Sequence, residues 1–245
     1  MTTVRHLAKL TWDTVPRRPL VLVPVGSTEQ HGPHLPFETD TLIATTSADR
    51  IAQALTREGI EVLVAPAIAY GASGEHQGFP GTASVGHDAL RTQIVELVRS
   101  LSTWAGRIVF VNGHGGNVST LASAITQMRQ EQHDVAWIAC MFEREGDAHA
   151  GSIETSVMLH IAPERVNMSK AAPGQLAPLA QILPVLIADG VRAASPSGVL
   201  GDPTTATAER GRELLAQLVA DGAAFIISAI VDEGGRFLEP ELALR

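Results

Sequence analysis

Glu29 and His31 stand two residues apart in the segment Gly26-Ser27-Thr28-Glu29-Gln30-His31-Gly32-Pro33-His34. In extended backbone that spacing turns both side chains to one side, and Gly32-Pro33 then bends the chain away. Asp40 comes next, behind Thr39 at a helix start, where a carboxylate can cap the helix or bridge two cations placed before it. His114 is flanked by glycines in Asn112-Gly113-His114-Gly115-Gly116-Asn117, whose backbone freedom lets an imidazole reach out from a tight turn. His149 and Glu154 follow in Asp147-Ala148-His149-Ala150-Gly151-Ser152-Ile153-Glu154-Thr155-Ser156. Neutral imidazoles with three carboxylates make a donor set suited to Zn, Mn or Fe. Two divalent ions against three carboxylates leave a net charge of about +1, which favours deprotonating a water for attack.

Other chemistries fit less well. The glycine-rich turn around His114 is compatible with an anion site at a helix N-terminus. It lacks the lysine of Gly-x-x-x-x-Gly-Lys, however, and departs from Gly-x-Gly-x-x-Gly, so nucleotide binding ranks low. Ser27 and Ser156 lie outside any Gly-x-Ser-x-Gly elbow, and Cys140 ends an apolar run with no histidine beside it. Water is therefore the expected nucleophile.

The elements that must position these groups can be read from apolar patterning. Residues 19–25 (PLVLVPV), 61–66 (EVLVAP), 107–112 (RIVFVN) and 135–140 (VAWIAC) are short runs rich in β-branched residues, apolar without strict alternation. Such strands are covered on both faces, as in a parallel sheet. Between them, Leu90, Ile94, Leu97, Leu101 and Trp104 recur at helical spacing, as do Val118, Leu121, Ile125 and Met128. Residues 39–55 repeat Ile43, Ser47, Ile51 and Leu55, and residues 207–231 carry Leu214, Leu215, Leu218 and Val219 on one face. The expected fold is α/β: a single domain over residues 1–245, a three-layer α/β/α sandwich with a mostly parallel sheet and ligands at the carboxyl ends of its strands. The chemical segments all begin where an expected strand stops, and this joint placement gives them weight.

Composition narrows the partners. Over 245 residues, 18 Lys plus Arg against 26 Asp plus Glu give a net charge of −8, which repels nucleic acid and anionic bilayers. Cys140 is the single cysteine, so an intrachain disulfide or zinc ribbon is excluded and a reducing, cytoplasmic setting is expected. Residues 1–18 lack a signal-peptide core, and no apolar run approaches the roughly 20 residues that span a bilayer.

Taken in order, GSTEQHGPHLPFETD, GASGEHQGFPGT, NGHGGN and HAGSIETS resemble the creatininase family of metal-dependent amidohydrolases, over most of the chain. APAIAYGASGEHQGFPGT, GDAHAG and GVLGDPTTATAERGREL are most similar to the mycofactocin-system members of that family. The resemblance implies a binuclear centre of two divalent ions (Zn, Fe or Mn), with Glu29, Asp40 and His114 on one, His31 and Asp40 on the other, and Asp40 bridging. Creatininases proper carry a glutamate two positions after the histidine matching His114. Gly116 stands there, so Glu154 is assigned as the replacement ligand, against the alternative of a carboxylate that only favours a helix dipole. His149 matches the region of the catalytic histidine and is assigned proton transfer to the leaving amine, against an orienting role.

The resemblance further implies a modified precursor peptide as substrate, cut near its carboxyl end to release a Val-Tyr unit, and a homo-oligomer. The tryptophans that box a small ring in creatininases are not evident, which argues against creatinine itself. The competing readings are an amidohydrolase for a small cyclic amide or formamide, and a protein that binds an anion without turning it over. The segment 71–82, with Glu75, His76, Phe79 and Pro80, is expected either to lie over the site or to pack as an ordinary loop. His34 and Glu38 are expected to orient neighbours or face solvent, and His6, His87, His133 and His160 have no constellation around them.

Overall fold

The structure is a computed structural model, and it describes residues 4–140 and 147–238. Residues 1–3 and 239–245 of the expected domain, and Gly146 at the start of GDAHAG, lie outside the described residues.

Five parallel strands form the sheet in the order β1-β3-β2-β4-β5: β1 Arg5–His6, β2 Leu20–Val25, β3 Val62–Val64, β4 Arg107–Asn112 and β5 Val135–Ala139. β2 is buried along its whole length, as its unbroken apolarity requires. Val21, Val23 and Val25 pack with Ile108, Phe110 and Trp137 against α2 (Gly86–Leu101) and α3 (Val118–Gln130). Leu20 and Leu22 pack with Val109, Val111 and Ile138 against α1 (Thr39–Arg57) and α7 (Ala208–Ser228). Helix, sheet and helix thus form the three expected layers. Pro24 sits in a central strand because its carbonyl, which accepts from Ile68 N, faces the β3 side beyond Val64, where a ladder N–H is not needed.

The helical stripes face the sheet as their spacing predicts. Leu90, Ile94, Leu101, Leu121, Ile125 and Met128 are buried on one side, and Ile51 and Leu55 on the other. α7 begins where Thr207 Oγ1 accepts from Arg210 N. Three elements were not expected. β1 is only two residues long. α5 (Leu179–Asp189) is apolar nearly throughout, with Pro184 inside it and Ile182 alone buried, so it lacks amphipathic contrast. α6 (Val191–Ala194) follows it directly. α4 (Ser152–Ile161) packs on α7, and Asp147 Oδ2 accepts from Ser152 N at its start. The chain after α7 returns along β5: Trp137 N donates to Gly235 O, Phe237 N to Trp137 O, and Trp137 Nε1 to Gly234 O.

From β2 the chain runs through α1 to β3 on one side, whereas β4 lies on the other. The carboxyl ends of β2 and β4 therefore flank a switch point, where a crevice opens in sheets of this kind. Residues 26–40 and 113–117 leave the sheet there.

Candidate metal centre

Asp40 occupies the first turn of α1, and its oxygens face the crevice rather than the helix amides. Asp40 Oδ2 accepts from Ser27 Oγ at 2.7 Å and lies 3.2 Å from His114 Nδ1, while Oδ1 lies 3.0 Å from His31 Nε2. Asp40 makes no cap bond at the start of α1, so the capping reading does not hold. His31 Nδ1 is turned to the Glu29 carbonyl at 3.2 Å, which leaves Nε2 toward Asp40 and toward Glu154 Oε2 at 3.9 Å. His114 Nε2 faces Glu29 Oε2 at 3.2 Å and the Ala72 carbonyl at 3.1 Å.

The six residues singled out by sequence therefore meet in one place. Glu29, Asp40 and His114 offer ligand atoms within 4.8 Å of one another, and so do His31, Asp40 and Glu154, with Asp40 common to both. Glu29, His31 and His149 form a third such group. Glu154 Oε2 also accepts from Ala150 N at 2.6 Å.

Two groups came from the loop after β3, where sequence left site and packing equally open. His76 is buried with Nε2 3.3 Å from Glu29 Oε1, and Glu75 Oε1 lies 3.6 Å from His114 Nε2. His149 packs between His31 and His76, with ring centroids 4.3 and 4.5 Å away and the ring planes tilted. Gln30 and Ser27 also belong to the cluster, and their neutral side chains gave no sign of it. His34 is buried against Thr155 Oγ1 at 3.0 Å, Glu38 pairs with Arg165 at the surface, and His87 lines the cavity beside the cluster.

Burial of so many charges sets their protonation. Burial alone would raise the Glu29 carboxyl, but the charge of His114 opposes it, and the group falls to about 2. Asp40 is likewise held well below the carboxylate range, burial being overcome by His31 and His114. Burial works against a charged His31, yet the charge and hydrogen bond of Asp40 take it up to about 10, and His114 is raised well above its usual value against the same penalty by Glu29 and Asp40. Burial, with His31 and His76 nearby, pushes His149 well down, and His76 is lowered by burial. Glu154 is pushed up to about 7 by burial.

This carboxylate cluster demands positive charge. Both oxygens of Glu29 are buried without a donor in hydrogen-bonding geometry. Buried polar atoms of that kind are paired or ligate metals, so the residues present fit a divalent cation.

The family profile described as "Creatininase: Creatinine amidohydrolase" matches residues 8–226. This chain belongs to the creatininase family. A mycofactocin precursor peptide peptidase of Mycobacterium ulcerans (strain Agy99) is 56% identical over 207 residues, covering 83% of this chain and 82% of the relative. A creatininase mutant described as Zn–Zn type is similar in structure, with TM-score 0.76 and 25% identity over 93% of this chain and 98% of the other. A structure described as creatininase Mn has TM-score 0.73 and 26% identity over 92% and 98%. Membership in a family of amidohydrolases makes this chain a hydrolase of C–N amide bonds, and the donor groups suggest divalent metal.

Within the creatininase fold, the Gly116 position has a physical cause. A Cβ there would collide with Ala72 O, His114 Nε2 and Glu75 Oε1, so the β3 loop closes the slot. Besides Asp40, a second carboxylate near His31 comes from α4, Glu154 at 3.9 Å.

Proposed function

We propose that the chain is a metal-dependent peptidase that hydrolyses an amide near the carboxyl end of a modified precursor peptide, releasing a Val-Tyr unit during redox cofactor biosynthesis. In this reading Glu29, Asp40 and His114 hold one divalent ion and His31, Asp40 and Glu154 a second, the ions being Zn, Fe or Mn. When bound, they polarise the scissile carbonyl and acidify water. His149, kept neutral by burial and packed beside the proposed ligand His31, carries a proton to the departing nitrogen. We place the reaction in the reducing cytoplasm and in a homo-oligomer. No helix among the described residues is long and apolar enough to cross a membrane.

The observation that carries the reading is Asp40 shared between two donor groups on the wall of a cavity of about 790 Å³. That volume lies in the upper part of the roughly 300–1,000 Å³ range of sites for drug-sized ligands, which suits several peptide residues better than one small ring. Its far wall is α5, where Leu179, Leu183, Leu186 and Ile187 supply apolar surface for an apolar or aromatic side chain. The relative from M. ulcerans, named for a precursor peptide, supports the same substrate class.

The test is elemental analysis of the purified protein, then incubation with the modified precursor peptide and mass spectrometry of the products. Loss of the carboxyl-terminal dipeptide unit is expected. Survival of the peptide at full metal loading, with a small cyclic amide opened instead, overturns the peptide reading in favour of a small-amide hydrolase.

A further inference from the structure

Gln30 lies between two ligand candidates, is 5% exposed, and carries no charge, yet its carboxamide touches more of the site than any other neutral group described above. Its Oε1 accepts from Gly32 N at 2.9 Å. A backbone N–H can be met only by an acceptor, so the carboxamide orientation is fixed and Nε2 points the other way. There it meets the Gly198 carbonyl at 3.1 Å, His76 Nδ1 at 2.9 Å and His149 Nε2 at 3.1 Å.

An amide nitrogen has two hydrogens for these three neighbours. The Gly198 carbonyl only accepts, and takes one. His149 Nε2 lies 2.8 Å from the backbone carbonyl of Gln30, which also only accepts, so that ring nitrogen carries a proton and cannot receive another. The second amide hydrogen therefore goes to His76 Nδ1. Two tautomers follow. His76 keeps its proton on Nε2, facing Glu29 Oε1 at 3.3 Å, one of the oxygens without a donor. His149 keeps its proton on Nε2, so its Nδ1 lone pair faces the carboxylate cluster, 3.7 Å from Glu29 Oε1.

We propose that Gln30 is a positioning residue for both rings: its backbone carbonyl holds the His149 proton on Nε2, presenting Nδ1 of His149 as the proton-accepting atom of the site, while its carboxamide holds the His76 proton on Nε2, beside Glu29. The surroundings are shaped around it. Gly198 has a left-handed φ of +81°, and a Cβ there would overlap Gln30 Oε1. Ser195 Oγ donates to Val199 O at 2.8 Å and holds the turn that presents the Gly198 carbonyl. The tautomers follow from geometry alone, whereas their effect on turnover rests on the peptidase reading.

The test is ¹⁵N NMR of histidine-labelled, zinc-loaded protein, which distinguishes protonated from unprotonated ring nitrogens. His76 and His149 are expected with Nε2 protonated and Nδ1 bare. A wild-type spectrum with His149 protonated at Nδ1 overturns the proposal. The near-isosteric Gln30→Glu still accepts from Gly32 N but cannot donate, so His76 Nδ1 should gain a proton. His149, held by the backbone carbonyl, should keep Nε2 protonated and zinc content should be kept, so a change of kcat in peptide hydrolysis reads the His76 proton alone. Unchanged His76 resonances in a folded Gln30→Glu protein also overturn it, and should that variant fail to fold, the wild-type spectrum decides alone. If the peptidase reading fails, no peptide is cut by any form, and the tautomers remain readable in the spectrum.

Discussion

At the scale of single residues, Asp40 is set apart within the proposed centre because both proposed ion sites use it. Asp40→Asn is expected to abolish binding of both ions, whereas Glu154→Gln should leave one ion per chain, with stoichiometry read by elemental analysis. Ser27 Oγ touches Asp40 alone among the ligands, so Ser27→Ala should weaken metal affinity about 10- to 100-fold, as loss of an outer partner does, measured by competition with a chelating dye. Gly116→Glu will not restore the glutamate of creatininases proper: the slot is already filled, and the variant should lose metal and stability together. His31 and His114 hold protons above neutrality in the metal-free cluster, so binding expels protons and apparent affinity rises with pH; calorimetry in buffers of different ionisation enthalpy reads this directly. Glu29, His31, Asp40, His114, His149 and Glu154 were legible because each is a titratable group placed just past an apolar run. Gln30 was not, since its role lies in hydrogen bonds to residues 46, 119 and 168 positions away.

At the scale of elements, legibility followed contrast. β4 matched its apolar run from Arg107 to Asn112, and α1, α2, α3 and α7 matched stripes that alternate apolar with polar positions. β1 was missed because two residues paired to β3 carry no period, and α5 because an all-apolar stretch with an internal proline has neither helical contrast nor a clean boundary. The same contrast predicts different consequences of substitution. Leu22, fully buried in the central strand, should cost about 2–5 kcal/mol when changed to Ala, seen as a lower Tm. Ile187 on α5 is 78% exposed while it lines the cavity, so Ile187→Glu should change stability by under about 0.5 kcal/mol yet raise KM for the peptide.

At the scale of the molecule, the site is assembled from loops that follow β2, β3, β4 and β5, brought together by the reversal of strand order at β2. Ions held by such separated segments stabilise the folded state by mass action, about 2.7 kcal/mol at a hundred times Kd. Chelation should therefore lower Tm by about 5–10 °C, the shift expected for a chain of this length, recoverable on adding back Zn or Mn. The segment that returns along β5 after α7 has a consequence of a different kind. By bonding to Trp137, residues 235 and 237 occupy the outer rim of β5, which would otherwise display a row of bare amides and carbonyls. A chain trimmed back to Ala229 would keep every proposed ligand, but its flank would be an open template onto which further copies could stack, so that residues 235–237 guard this edge against fibrous self-assembly.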